Sequence, residues 1–331
     1  MKRVAINGLG RIGRATMKVL LETPDLELVA VNDLIPSEEI VYLLKYDSVY
    51  GRYDKKVEHK ENEIRVEGKA IKKFEEKDPG KLPWKDNNID IVFECTGLFT
   101  EKKDMQKHLD AGAAHVILSA PAKGEGIKFI IPGINEPEAE DKLISTASCT
   151  TNCIAPVIEI LNRRIGVEKA IMTTVHAYTS SQELVDTAHK KRRRGRAAAV
   201  NFVPTSTGAA KATAKVLTEM EGIFDGVAIR GPVPVGSIAD ITVITKKDTS
   251  VEEINKIFKE EAKGRYDGIL GASEEDLVSS DIIKDPRGSI VDLQMTMVVD
   301  GNLAKVMSWY DNEWGYVNQM VKVGVQLAKK I

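Results

Sequence analysis

Apolar and polar positions change period along this chain, and the changes mark out its elements. Val4-Ala5-Ile6 is a short apolar run, Ala15, Val19 and Leu20 follow on one helix side, and Leu26 to Val31 is a second apolar run ending on Asn32-Asp33. The pattern predicts strand, helix, strand. Ile89 to Cys95 runs into Thr96-Gly97, and Val116 to Leu118 runs into Ser119-Ala120-Pro121, which repeats the strand-then-turn unit. The charged stretch from Tyr50 to Lys81, with alternations such as Ile64-Arg65-Val66, reads as a solvated, hairpin-like insertion. Further on, Ile154, Val157, Ile158 and Leu161 recur at i, i+3, i+4, i+7, one face of a helix. Pro156 suits a first helical turn and moves the expected start of the regular helix toward Asn152. Ala170 to Thr179 alternates, with Ile171, Thr173 and Val175 opposite Met172, Thr174 and His176, as a strand does. Strands at Ile238–Ile244, Ser289–Val299 and Ala304–Ser308, and a helix from Val251 to Ala262, complete the pattern. A last amphipathic helix puts Val317, Met320, Val321, Val325 and Ala328 on one side, with Gly324 on the same face allowing close packing. Strand–helix alternation followed by strand-rich sequence predicts an α/β domain and then an α+β domain.

With 331 residues the chain has room for two such domains. The hydrophobic share of 43% and charged share of 29% are those of an ordinary globular protein, so neither disorder nor a fibrous repeat is indicated. A formal net charge of -2 gives no global field for nucleic acid or an anionic membrane. The basic run His189 to Arg196 is local, and a nucleic-acid role resting on it would be secondary. Three cysteines are too few for a disulfide framework and favour a reducing, cytoplasmic setting. The opening MKRVAINGLGRIGR does not read as a signal peptide, and no apolar run reaches the ~20 residues needed to span a bilayer.

Two stretches carry chemistry. Gly8-Leu9-Gly10-Arg11-Ile12-Gly13 follows a strand and opens a helix, and Asp33 closes the second strand. Together they form the dinucleotide-binding fingerprint: a tight turn at Gly8, backbone approach to a pyrophosphate at Gly10, helix–strand packing at Gly13, and a ribose hydroxyl on Asp33. A fixed carboxylate there repels a 2′-phosphate, which favours NAD over NADP. The second stretch is Ser145 to Cys153, where Cys149 stands among hydroxyl residues at a helix start with Ser148 as candidate cap. Backbone N–H groups and the positive helix end favour a thiolate. His176, on the following strand, is the candidate partner for activating it. Cys149 and Cys153 do not form a zinc pattern, and no metal site is expected. Part of the basic run His189 to Arg196 could face an anionic substrate or a subunit neighbour, and Thr205-Ser206-Thr207-Gly208 opening another helix is a candidate anion site.

The motifs INGLGRIGR, VND, LLKYDSVYGR, ECTG, SAPAK, ASCTTNC, HAYT, PTSTGAAKA and SWYDNEWGY span essentially the whole chain. In them the sequence resembles the phosphorylating, NAD-dependent glyceraldehyde-3-phosphate dehydrogenases. The resemblance implies a Rossmann NAD-binding domain (residues 1–148 and 313–331) and an α+β catalytic domain with a mostly antiparallel sheet (residues 149–312). It implies Cys149 as nucleophile and His176 as general base. The substrate phosphate would meet Thr179 and Arg230. The attacking inorganic phosphate would meet Ser148, Thr150, Thr207, Gly208 and Arg193. NAD would meet Gly8, Gly10, Arg11, Ile12, Asp33, Thr96, Gly97, Ser119, Asn312 and Tyr316. A homotetramer is implied, with no membrane partner. Thr187-Ala188 departs from the pattern of many NAD-specific members, which have Pro at the second position, so NADP stands as the weaker alternative. An erythrose-4-phosphate dehydrogenase is the nearest competing activity.

Overall fold

Where the chain begins, apolar runs pair side by side and glycines turn it between them. The computed structural model describes residues 1–331. Its N-terminal strands are β1 (Lys2–Asn7), β2 (Leu26–Asn32), β3 (Tyr46–Asp47), β4 (Gly51–Arg52), β5 (Val57–Lys60), β6 (Glu63–Val66), β7 (Lys69–Phe74), β8 (Ile91–Glu94), β9 (His115–Leu118), β10 (Lys128–Phe129) and β11 (Leu143–Ser145). All but β3 and β4 form one nine-stranded sheet, ordered β10-β11-β9-β8-β1-β2-β7-β6-β5. From β10 to β7 every neighbour runs parallel, as helical crossovers require. The helices are α1 (Arg11–Leu20), α2 (Ser37–Lys45) and α3 (Lys102–Asp110). Chain order reverses between β1 and β8, so the crevice beyond their carboxyl ends is the switch point where such sheets bind ligands.

The charged stretch from Tyr50 to Lys81 is not a detached hairpin. β7 pairs parallel with β2, and β6 and β5 extend the sheet in antiparallel register. Its sparse apolar residues Val57, Ile64, Val66 and Ile71 are all buried. Alternation gave the strands, but the charged outer face hid the fact that the inner face is part of the core.

The second half contributes β12 (Val167–Ala177), β13 (Val203–Ser206), β14 (Phe224–Gly231), β15 (Ser237–Thr245), β16 (Leu270–Ser273), β17 (Ser289–Val299) and β18 (Leu303–Tyr310). They form a seven-stranded sheet, β13-β14-β12-β15-β18-β17-β16, antiparallel except for the pairs β12–β14 and β16–β17. Helices α4 (Cys149–Arg164), α5 (Ala209–Ala214) and α6 (Val251–Lys263) build a core with it, and α7 (Trp314–Ala328) ends the fold. On α4 the face Ile154, Val157, Ile158 and Leu161 is fully buried against Met172, Ile241 and Val306. At ~1.5–3 kcal/mol per buried side chain those four residues contribute roughly 6–12 kcal/mol relative to exposure. That burial, with the Ser148 cap, decides where the helix begins. It starts at Cys149 and carries Pro156 in its interior, instead of starting near Asn152.

The chain divides into two compact units. The first is Met1–Ile130, Asn135–Ala147 and Met320–Ile331; the second is Ile131–Ile134 and Ser148–Gln319. Compared with the boundaries read from sequence, Ile131–Ile134 and the first part of α7 fall with the second unit. Within the first unit Gly324 packs so closely that a Cβ there would lie 2.7 Å from the Phe93 ring.

Candidate active site

In the second unit a helix start and two strand ends meet. Ser148 caps α4: its Oγ accepts the Thr151 N–H at 3.1 Å and pairs with the Thr151 hydroxyl at 2.8 Å. Cys149 is thereby the first residue of the helix and keeps part of its surface accessible. Strands β12 and β14 run parallel with His176 opposite Arg230, so register alone brings the imidazole beside the guanidinium. The Cys149 Sγ lies 3.4 Å from His176 Nε2. His176 Nδ1 lies 2.6 Å from the Ala177 carbonyl and must carry the proton, which leaves Nε2 as the acceptor facing sulfur.

Charge at this pair is set by burial and two arginines. Burial, reinforced by the positive charges of Arg230 and Arg194, pushes His176 down to about 4. Burial also raises the Cys149 thiol, opposed by Arg230 and by hydrogen bonds from Thr150. Burial thus works against charge on both partners, while Arg230 and Thr150 favour the thiolate. Tyr310 braces both partners: its hydroxyl pairs with Thr150 Oγ1 at 3.0 Å and Thr174 Oγ1 at 2.7 Å, and its ring meets His176 edge-on.

Arg230 donates through Nη1 to Thr179 Oγ1 at 2.9 Å and to the Ala177 carbonyl at 3.1 Å. It is largely buried, its Nε has no partner, and no carboxylate pairs with it. Arg194 reaches the same neighbourhood, donating to Thr205 Oγ1 at 3.0 Å, Ser181 Oγ at 3.3 Å and the Ser206 carbonyl at 3.4 Å. Two guanidiniums held near each other without an acid form an anion site. The sequence reading placed Arg193 here, whereas the bonds to Thr205, Ser181 and Ser206 are made by Arg194. Arg193 is exposed and lines an outward groove with Thr173, Pro204 and Val227. Gly195, the next residue after Arg194, is buried in a tight turn where a Cβ would lie 2.3 Å from the Thr187 carbonyl. Thr207 Oγ1 accepts the Ala209 N–H and opens α5, with Gly208 beside open space. The buried Thr150 hydroxyl pairs with the Tyr310 hydroxyl. Asn312 Oδ1 accepts from Gly236 N–H and the Ser237 hydroxyl, both at 3.1 Å, leaving its amide N–H groups as donors; Tyr316 is buried.

In the first unit, Gly8 takes a left-handed turn with φ +94, and a Cβ on Gly13 would lie 1.8 Å from the Gly8 carbonyl, so helix and turn touch. Gly10 begins α1 with no side-chain cap and faces open space, as does Gly97. Uncapped N–H groups at a helix start beside an unfilled glycine surface fit a dinucleotide pyrophosphate. Asp33 accepts the Leu9 N–H at 2.5 Å and the Ile35 N–H at 2.9 Å, which fixes its carboxylate at the end of β2. The Arg11 guanidinium is engaged by Asp47 at 2.9 Å. Thr96 gives both its N–H and its hydroxyl to Glu94, and Ser119 N–H bonds the Glu94 carbonyl. No cluster of metal-ligating side chains is present, and no helix is long and apolar enough to cross a membrane.

Comparison with known proteins agrees with this arrangement. Residues 2–102 match the model of the glyceraldehyde 3-phosphate dehydrogenase NAD binding domain, and residues 148–312 match that of the C-terminal domain. Among similar proteins, glyceraldehyde-3-phosphate dehydrogenase of Thermotoga maritima is 51% identical over 97% of each chain. Glyceraldehyde-3-phosphate dehydrogenase 2 of Streptomyces avermitilis is 47% identical over 99% of each chain. That of Geobacillus stearothermophilus is 47% identical over 99% of this chain and 98% of its own. The chain belongs to the glyceraldehyde-3-phosphate dehydrogenase family.

Proposed function

We propose that this protein oxidises glyceraldehyde 3-phosphate with NAD, as its family does, and that it captures the product as an acyl phosphate. The observation that carries the reading is the Cys149–His176 pair, 3.4 Å apart at a capped helix start beside two arginines that lack an acid. Thr179 and Arg230 receive the substrate phosphate. Its charge offsets the two guanidiniums, and His176, held down by them, becomes a better base. The Cys149 proton then passes to Nε2 and sulfur attacks the aldehyde carbon, giving a thiohemiacetal. The Cys149 N–H at the start of α4 and the His176 cation stabilise the developing oxyanion. His176 gives its proton to that oxyanion, making the thiohemiacetal hydroxyl, and, neutral again at Nε2, takes the same proton back as the thioester forms; NAD, when bound, would supply the hydride acceptor. Inorganic phosphate, held by Ser148, Thr207, Gly208 and Arg194, attacks the thioester and frees Cys149. In the first unit Asp33, Gly10 and Gly97 are the groups that fit NAD, and Asp33 disfavours NADP.

For organisation, residues 1–148 with 313–331 serve the cofactor and residues 149–312 the chemistry. A homotetramer is supported by the outer face of the second sheet, where Ile171, Val175 and Val227 stand exposed on neighbouring strands. Light scattering in solution tests that assembly. A cytoplasmic setting accords with three free cysteines. The activity test is reduction of NAD with glyceraldehyde 3-phosphate, with and without inorganic phosphate, repeated with NADP. NADH formation that requires phosphate is expected. Phosphate-independent turnover would make the protein a hydrolysing dehydrogenase and leave Arg194 and Thr207 with no part in the reaction.

A further inference from the structure

The turns that face the cofactor rest on a buried polar chain that the chemistry above does not use. Glu94, the last residue of β8, is wholly buried. Its carboxylate accepts from Asn7 Nδ2 at 2.5 Å, from His108 Nε2 at 3.0 Å, and from both the N–H (2.8 Å) and the hydroxyl of Thr96. His108 is equally buried, and its Nδ1 lies 2.9 Å from Trp84 Nε1. An indole N–H can only donate, so His108 Nδ1 accepts and Nε2 carries the proton given to Glu94. Trp84 also stacks on the His108 ring at 6.2 Å. At the other end, Asn7 Oδ1 accepts from Asn32 Nδ2 at 2.7 Å, and Asn32 exchanges two 2.9 Å bonds with the backbone of Glu76.

Asn7, Asn32 and Glu94 are the final residues of β1, β2 and β8, three adjacent parallel strands at the switch point. The next residues are Gly8, Asp33 and the Cys95-Thr96-Gly97 turn. Gly8 leaves no slack, because a Cβ on it would lie 2.7 Å from the Thr96 nitrogen. A carboxylate buried with neutral donors only is a costly way to fill space and an effective way to fix directions, since each donor is held at one angle. We propose that Glu94 is a positioning residue for the NAD-binding turns, and that His108, fixed by Trp84, holds Glu94 in place. The proposal rests on the reading of this unit as the NAD site and assigns residues outside that site to its preorganisation.

Calorimetric titration with NAD and with ADP-ribose tests it, on wild type, E94Q, H108F and H108Q, with melting temperature measured in parallel. E94Q sets an amide N–H2 against groups that are all donors, and its Kd for both ligands is expected to rise by about ten-fold or more, the scale of one charge-assisted hydrogen bond. H108F fills the space but gives Glu94 no donor and weakens binding; H108Q restores a donor and recovers affinity. At saturating NAD, kcat changes much less than KM for NAD. An E94Q protein that melts earlier yet binds within about two-fold of wild type overturns the proposal, because the chain would then serve stability alone. If E94Q does not fold, equal Kd values for H108F and H108Q overturn it instead. Failure of wild type to bind NAD would count against the cofactor reading itself, and is distinct from both.

Discussion

Replacing one arginine of the basic run at a time separates the structural reading from the sequence reading. Arg194 makes three hydrogen bonds to β13 and Ser181, and burial holds its guanidinium below the usual range. Arg193, one residue earlier, is exposed and lines a groove with Thr205 and Ser206 without bonding to them. A hydrogen bond from a charged group to an anion contributes about 1.5–3 kcal/mol, and the partial exposure of Arg194 argues for the lower end. Arg194→Ala is therefore expected to lower kcat/KM for inorganic phosphate by roughly ten-fold or somewhat more. Arg193→Ala removes only a solvated charge, worth at most about 1 kcal/mol and screened by salt. The assay is steady-state NADH formation at saturating NAD and aldehyde with phosphate varied. A second readout follows from the charge that Arg194 exerts on His176. Its removal raises the imidazole pKa, so the acidic limb of the pH–rate profile moves to higher pH in Arg194→Ala and stays in place in Arg193→Ala. If Arg193→Ala matches or exceeds Arg194→Ala in phosphate dependence, the assignment of the inward arginine is wrong.

Three further outcomes follow from the geometry. Gly324→Val drives side-chain atoms into the Phe93 ring, already 2.7 Å from a Cβ, and is expected to cost about 1–3 kcal/mol in thermal unfolding. Asp33→Ala removes the charge that repels a 2′-phosphate and should raise kcat/KM with NADP relative to NAD; an unchanged ratio would remove Asp33 as the discriminator. His176 is buried neutral with its pKa depressed from 6.5 to about 4, so the unfolded chain binds the extra proton first as pH falls. That stability is whole above pH 6.5 and is lost toward pH 4, by about 3 kcal/mol, and denaturant titration should find this part of the loss missing in His176→Asn.

The legible parts of the fold were those written in local sequence. Spacing from Ile154 to Leu161 announced α4, and the small polar residues before it announced a capped start, which Ser148 supplies. Pro156 misled the boundary because a proline prefers the first turn, whereas here the burial of a whole helix face outweighs one lost backbone bond. The segment from Tyr50 to Lys81 misled in the same direction. Its charges dominate the composition, but Val57, Ile64, Val66 and Ile71 of its short strands are buried, and pairing with β2 is a long-range event that no window of ten residues contains.

At the chemistry the same division appears more sharply. Cys149 and the glycine turn carry their context beside them in the chain, so their placement at a helix start and a strand end was legible. Arg193 and Arg194 are identical in type and adjacent, and no composition or periodicity separates them. Gly195, a glycine within a basic run, marks a tight turn there, since its missing Cβ admits the Thr187 carbonyl. Glu94, His108 and Trp84 were invisible for a related reason. Fourteen residues separate Glu94 from His108 and twenty-four separate His108 from Trp84, and each alone is an ordinary residue of a strand end, a helix and a loop. Only the parallel register of β1, β2 and β8 brings Asn7, Asn32 and Glu94 to one level, and only then does a buried carboxylate have its four donors. Residues that act directly are read from local pattern; those that hold them in place become visible when strand pairing is known.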